Sequence, residues 1–333
     1  MKAVEVGADG EVSVVERPVP KIGPGEALLR TRVSGICGSD LLSWYVRKKA
    51  GTVLGHELAG EIVEVGPGVA GFSPGDRVVP HHHAPCLACA ACRSGRFVHC
   101  PEWQASRLDP GGMAELVRIP AGNLARDTLA IPAGLCDEEA SWTEPLATVV
   151  KAFRRGQFAA GQSLLVVGCG ATGQLAVRLG RCLGASRIAA ADRVASRLAL
   201  ASASGAALTI HVDRTALPPG FDFVFVGPGK SEAIRAGFEA VAPGGTLLLF
   251  TMAPPQERWE VVPHDLYFRE VTVVPSYSCG PDDMREALEL LASGRVKVAD
   301  LVTHRFPVEE AQKAFETARQ PEGSLKVVIT FSP

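Results

Sequence analysis

The sequence predicts an α/β protein with two parts: a β-rich, barrel-like domain and a doubly wound parallel sheet. The first third of the chain is cut by Gly and Pro into short valine-rich runs, such as residues 61–65 before Gly66-Pro67-Gly68 and residues 77–79 after Pro74-Gly75-Asp76. Many short strands separated by turn residues point to a barrel-like domain. Near Glu144 the pattern changes to strands alternating with helices, joined by short links, which predicts a parallel sheet covered on both faces.

In chain order, residues 163–167 read as a compact apolar strand, 171–183 as a helix and 187–191 as a strand. A helix over 194–204, a strand over 208–212 and a strand over 221–226 follow. A helix over 231–241 and strands over 246–251 and 271–276 close the series. Beyond it, Met284, Ala287, Leu288 and Leu291 recur at helical spacing within 283–292, with Gly294 as the expected cap. A helix over 308–318 and a strand over 326–330 complete the chain.

A length of 333 residues suggests two domains, and a content of 47% hydrophobic residues is enough for a core in each. A net charge of -2 argues against a nucleic-acid protein, which would carry a basic surface. The one basic run, Arg47-Lys48-Lys49, reads as a solvated loop. No apolar stretch is long enough to span a bilayer, and the opening MKAVEVGADG has no apolar signal core, so the expectation is a cytoplasmic protein. In that compartment nine cysteines suggest thiols and metal ligands more than disulfides.

Gly168-Cys169-Gly170-Ala171-Thr172-Gly173 fits G-x-G-x-x-G between an apolar strand and a helix, the context of a dinucleotide site. The first glycine allows the turn, the second the approach of a pyrophosphate, and the third close helix–strand packing. The helix N-terminus offers free N–H groups to the phosphates. Asp192, 19 residues after Gly173, can bind the adenine ribose and repel a 2′-phosphate, which favours NAD. The alternative is a loop Asp capping the helix at Val194. Arg193 and Arg197 keep NADP open as acceptors of a 2′-phosphate.

Cys86, Cys89, Cys92 and Cys100 form C-x-x-C-x-x-C-x7-C. Four thiolates close a tetrahedral structural zinc shell; an iron–sulfur cluster is the rival. His81-His82-His83 precede it. Neighbouring side chains of an extended segment alternate faces, so the three cannot all converge on one ion, and surface or packing roles are expected. Cys37, His56, Glu57 and Glu144 supply the thiolate, imidazole and carboxylate types of a catalytic zinc with an open position. Taken singly, each has an ordinary alternative: a buried thiol, a core histidine, a cap at the domain junction.

Together the motifs resemble the zinc-containing medium-chain dehydrogenase/reductase family over essentially the whole chain. Those motifs are Gly35-Ile36-Cys37-Gly38-Ser39-Asp40, Gly55-His56-Glu57, Gly75-Asp76-Arg77-Val78, the four-cysteine segment, Gly111-Gly112-Met113-Ala114-Glu115, Glu144-Pro145-Leu146 and the glycine-rich turn. Glu144, where liver-type alcohol dehydrogenases have a cysteine ligand, places the likeness nearest the sorbitol dehydrogenase-like branch. The resemblance implies a discontinuous GroES-like catalytic domain of residues 1–144 and 280–333, with a structural zinc lobe at about 81–105, and a Rossmann domain of residues 145–279. It implies two Zn2+ per chain, one catalytic and one structural, with NAD(H) favoured over NADP(H).

By the same resemblance Cys37 and His56 are zinc ligands, and Glu57 and Glu144 occupy the two carboxylate positions, the choice between them left open. Ser39 matches the hydroxyl that first takes the substrate proton. Leu42 stands where many relatives carry the histidine that passes this proton outward. Trp44 and Tyr45, with Tyr277 near the nicotinamide, are candidates for the substrate pocket. The implied activity is oxidation of a secondary alcohol, a polyol or amino-polyol, to a ketone. The zinc polarises the alcohol oxygen and the cofactor takes the hydride. A simple alcohol dehydrogenase and a threonine-type dehydrogenase are the alternatives, with a non-enzymatic zinc- and NAD(H)-binding protein more remote. The expected partners are a small-molecule alcohol and a second copy of the chain, in a homodimer or homotetramer pairing over residues 271–276, with neither nucleic acid nor membrane.

Overall fold

The structure is a computed structural model that describes residues 1–332. The chain divides into two compact units, residues 1–147 with 279–333, and residues 148–278.

The first unit is built on a seven-stranded sheet. Its path runs Val302–Pro307, Lys326–Thr330, Ala27–Gly35, Glu57–Val65, Arg77–Pro80, Thr128–Ala130, and Leu116–Ile119 also pairs with Ala27–Gly35. The last strand joins antiparallel to the early one, with Val328 opposite Gly35 and Ile329 opposite Ser34. Backbone hydrogen bonding thus makes this unit discontinuous in sequence. Two apolar cores flank the sheet, one around Phe315, Ile329 and Met113, the other around Leu29, Leu58, Ile62 and Val117. The expected helix over 308–318 forms at Ala311–Ala318, preceded by one 3-10 turn.

The second unit is a six-stranded sheet in the order Leu208–His211, Arg187–Asp192, Ser163–Val167, Phe221–Val226, Val241–Leu249, Thr272–Pro275. Every neighbouring pair is parallel. Numbered along the sequence, this order is 3-2-1-4-5-6, in which the chain reverses direction beside the first strand and opens a crevice at its carboxyl end. The sheet buries Leu165, Val167, Val224, Val226 and Leu247 in one core.

Among the elements not anticipated, one carries a candidate site residue. Thr143–Arg155 is a helix of 13 residues despite Pro145. A proline in the first turn costs little, because the first N–H groups of a helix have no intrahelical acceptor. That turn carries Glu144.

Candidate active site and metal centres

In the second unit the glycine-rich turn joins the strand Ser163–Val167 to the helix Ala171–Cys182. Gly170 is the residue at the helix start. A Cβ at Gly173 would collide with the carbonyl of Gly168, so only glycine lets helix and strand approach here. Asp192 ends the next strand, and its carboxylate accepts from Cys169 N–H at 2.6 Å and from Val194 N–H at 2.8 Å. It therefore ties the turn to Val194, the residue just before the following helix. Arg193 pairs with Asp213 at 3.2 Å on the surface. Arg197 lies over the turn: a Cβ at Gly170 would sit 3.8 Å from its Nη1. The buried Gln174, which carries no motif signal, donates to the carbonyls of Cys169 and Arg197 at 3.0 and 2.9 Å and locks turn to helix. Tyr277 is exposed, and its carbonyl accepts from Lys151 Nζ at 2.6 Å.

In the first unit one donor atom from each of Cys86, Cys89, Cys92 and Cys100 lies within 4.8 Å of the others. Cys86 and Cys92 sulfurs are 3.8 Å apart, and those of Cys89 and Cys92 are 3.6 Å apart. A tetrahedron with sulfur about 2.3 Å from zinc has edges of about 3.8 Å, so the four thiols fit that ion. None is in a disulfide. Backbone N–H groups of Cys86 and Cys89 point at sulfurs of Cys100 and Cys86 at 3.3 and 3.2 Å. Burial opposes ionisation of Cys100, but such N–H groups outweigh it and bring its thiol down to about 6. Val98, Trp103 and Phe97 pack around the cluster.

Cys37, His56 and Glu57 also bring one donor each within 4.8 Å. Sheet register does this: Glu57 opens its strand directly opposite Gly35, two residues before Cys37. A Cβ at Gly35 would collide with the Glu57 carboxylate and the Lys326 ammonium, so glycine makes the space they occupy. The first turn after Cys37 is a short 3-10 helix that presents Ser39 and buries Asp40, whose Oδ2 accepts from Cys37 N–H at 3.3 Å. Leu42 ends that turn, a side chain unable to carry a proton. The next turn holds Trp44 and Tyr45, edge to face at 5.7 Å, with Lys48 over the first ring and Lys49 over the second.

Burial disfavours a charged His56, yet the Cys37 sulfur, Asp40 and Glu144 outweigh it and hold its pKa well above the usual range. The pocket is thus electronegative and suited to a cation. Glu144 is pushed up, first by burial and then by Glu57. The sequence reading passed over Lys326. Its ammonium pairs with Glu57, donates to Ile36 O at 3.1 Å and lies 5.2 Å from the centre of the Trp142 ring.

Of the two roles expected for the histidine run, packing is the one observed, and the three do not all converge. The run is not a surface feature: His81 and His83 are buried and His82 is half-buried. The strand ends at Pro80 and the backbone bends at His82, so strict alternation of faces no longer applies. His81 and His82 converge on Glu144, one donor from each within 4.8 Å. His83 turns away to stack on Trp103 at 3.8 Å and to bond Ser106 O at 3.0 Å.

Residues 23–132 match the alcohol dehydrogenase GroES-like domain, and residues 171–293 match the zinc-binding dehydrogenase domain. Sorbitol dehydrogenase of Rattus norvegicus is 33% identical over 98% of this chain and 95% of its own length. The chain belongs to the zinc-containing medium-chain dehydrogenase/reductase family, in its sorbitol dehydrogenase-like branch. Among solved structures, an alcohol dehydrogenase from Thermus sp. ATN1 superposes with a TM-score of 0.88 at 30% identity, covering 100% of both chains. A protein of Sinorhizobium meliloti bound to NADP superposes with a TM-score of 0.89 at 28% identity, covering 99% of this chain and 98% of that one. The fold class is accordingly that of GroES-like and Rossmann domains.

Proposed function

We propose that this protein is a zinc-dependent, NAD(P)-linked dehydrogenase that oxidises a secondary alcohol, a polyol or amino-polyol, to a ketone. The observation that carries this reading is the convergence of Cys37, His56 and Glu57 in an electronegative pocket, in a chain that also carries a complete glycine-rich dinucleotide turn. The likeness to sorbitol dehydrogenase over nearly the full length supports the substrate class. Residues 1–147 with 279–333 take the catalytic role, and residues 148–278 the dinucleotide role.

Zinc held by Cys37, His56 and Glu57 supplies a Lewis acid for the alcohol oxygen, and a bound nicotinamide supplies the hydride acceptor. The chain's own residues do the rest. Ser39 Oγ would take the hydroxyl proton, and Leu42, whose side chain carries no proton, leaves the onward path to water or another side chain. Lys326 neutralises and orients Glu57. The N-terminus of Ala171–Cys182 receives the pyrophosphate, with Gly168, Gly170, Ala171, Thr172 and Gly173 shaping the cradle. Asp192 favours NAD, whereas Arg193 and Arg197 offer charge to the 2′-phosphate of NADP. Trp44 and Tyr45 would line the substrate side. Cys86, Cys89, Cys92 and Cys100 hold a second, structural zinc.

The protein would act in the cytoplasm; among the described residues no helix is long and apolar enough to cross a membrane. A homodimer or homotetramer is the proposed assembly, supported by the unpaired outer edge of Thr272–Pro275 and by exposed Tyr267 and Phe268 beside it in sequence. The test is turnover by the zinc-loaded protein with NAD and with NADP on polyols, inositols, amino-cyclitols, threonine and simple alcohols. Activity confined to polyols or cyclitols supports the reading. Activity on simple alcohols or threonine alone transfers the substrate assignment to those classes, and no turnover with both zincs present overturns it.

A further inference from the structure

A second set of metal-type donors stands beside the first. His81 is held on three sides. Its backbone N–H donates to Asp127 O at 2.9 Å, its carbonyl accepts from Asn123 Nδ2 at 3.0 Å, and its ring Nδ1 lies 2.6 Å from Asp127 Oδ2. Both side chains of that last pair are fully buried. A carboxylate on Nδ1 fixes the tautomer that carries its proton there and leaves the Nε2 lone pair available, the arrangement by which proteins orient metal-binding imidazoles. With the proton on Nδ1, the Cys279 thiol hydrogen-bonds Nε2 at 3.6 Å, a contact that a bound ion would displace.

His82 Nδ1 is buried and has no hydrogen-bond partner, a condition that buried polar groups rarely tolerate without a ligand, water or ion. Glu144 reaches the same place from the first turn of Thr143–Arg155, and its carboxylate is buried. One donor from each of the three lies within 4.8 Å of the others. The His82 and His56 rings are 5.0 Å apart between centroids, so this set adjoins the Cys37 set without sharing its thiolate.

We propose that His81 Nε2, His82 and Glu144 form a second divalent-cation position next to the Cys37–His56–Glu57 set. Two imidazoles and a carboxylate suit borderline ions such as Zn2+, Co2+ or Ni2+. The chain would then bind a third equivalent of metal, beyond the structural ion and the catalytic one. Ion binding here does not depend on the substrate, so the position stands or falls separately from the dehydrogenase reading.

The experiment is equilibrium dialysis of the full chain against rising Co2+, with metal content and visible spectra measured together. The first two equivalents, at thiolate-bearing sites, should bring sulfur-to-cobalt charge-transfer absorption. The third should bind without adding to that band, because its donors are nitrogen and oxygen. His82→Ala should lose the third equivalent and keep the thiolate bands, which also report that both other sites are folded. Asp127→Asn, which removes only the orienting charge, should weaken the third equivalent about 10- to 100-fold. If His82→Ala fails to fold, His82→Gln keeps the bulk and serves the same comparison. Saturation of the wild type at two equivalents overturns the proposal, as does a third equivalent indifferent to both the His82 and Asp127 substitutions. Turnover with two equivalents bound would survive either result.

Discussion

Replacing Lys326 with methionine keeps most of the side-chain volume and removes the cation that faces Glu57. Both side chains of the pair are 4% exposed, so water cannot take over the role of Lys326. Removing one partner of a buried pair leaves an uncompensated charge and costs about 3–5 kcal/mol. For a unit of this size that loss lowers the melting temperature by roughly 6–20 °C. The measurement is calorimetry on chelator-treated protein, with tryptophan emission as a second probe, because Trp142 lies against Lys326. Zinc should restore part of the loss, since a cation bound by Glu57 supplies the missing charge. The double variant Lys326→Met with Glu57→Gln should recover most of the metal-free stability, because it removes the orphaned charge as well. A metal-free Lys326→Met protein melting within about 2 °C of wild type would refute the reasoning, as would a double variant less stable than the single one.

Asp222 is held below the usual carboxylate range by hydrogen bonds from the Ser163 hydroxyl and N–H, at 2.6 and 2.8 Å. A depressed folded value stabilises the protein above the ordinary carboxylate pKa and is lost as pH falls through the folded value. Ser163→Ala should therefore cost about 1.5–3 kcal/mol at neutral pH in denaturant titrations, with the gap from wild type narrowing below about pH 4. Asp192→Asn removes the charge and keeps an acceptor for only one of the Cys169 and Val194 N–H groups, and should shift the ratio of kcat/KM values toward NADP by about 10-fold or more. Gly173→Ala drives a Cβ into the Gly168 carbonyl and should abolish measurable NAD(H) binding by calorimetry while circular dichroism shows a folded chain. Cys100→Ser should release one equivalent of zinc and lower stability, with the Cys37 site still metal-loaded by elemental analysis.

Local pattern determined much of this protein. The strands Ser163–Val167 and Phe221–Val226 and the helix between residues 171 and 182 were legible because apolar runs, glycine turns and helical spacing act over a few residues. The four-cysteine cluster was legible for the same reason: its donors lie within one short segment. The helix Thr143–Arg155 was not, since Pro145 at its start resembles a break. Tertiary structure alone decided the rest. Lys326 meets Glu57 across 269 residues of sequence, and only the antiparallel pairing of Val328 with Gly35 and of Gly35 with Glu57 brings them together. The convergence of His81 and His82 on Glu144 depends on where one strand stops and on how a distant helix begins. Side-chain types show which donors a chain possesses; register and strand ends, set by packing of the whole sheet, decide which of them share a pocket.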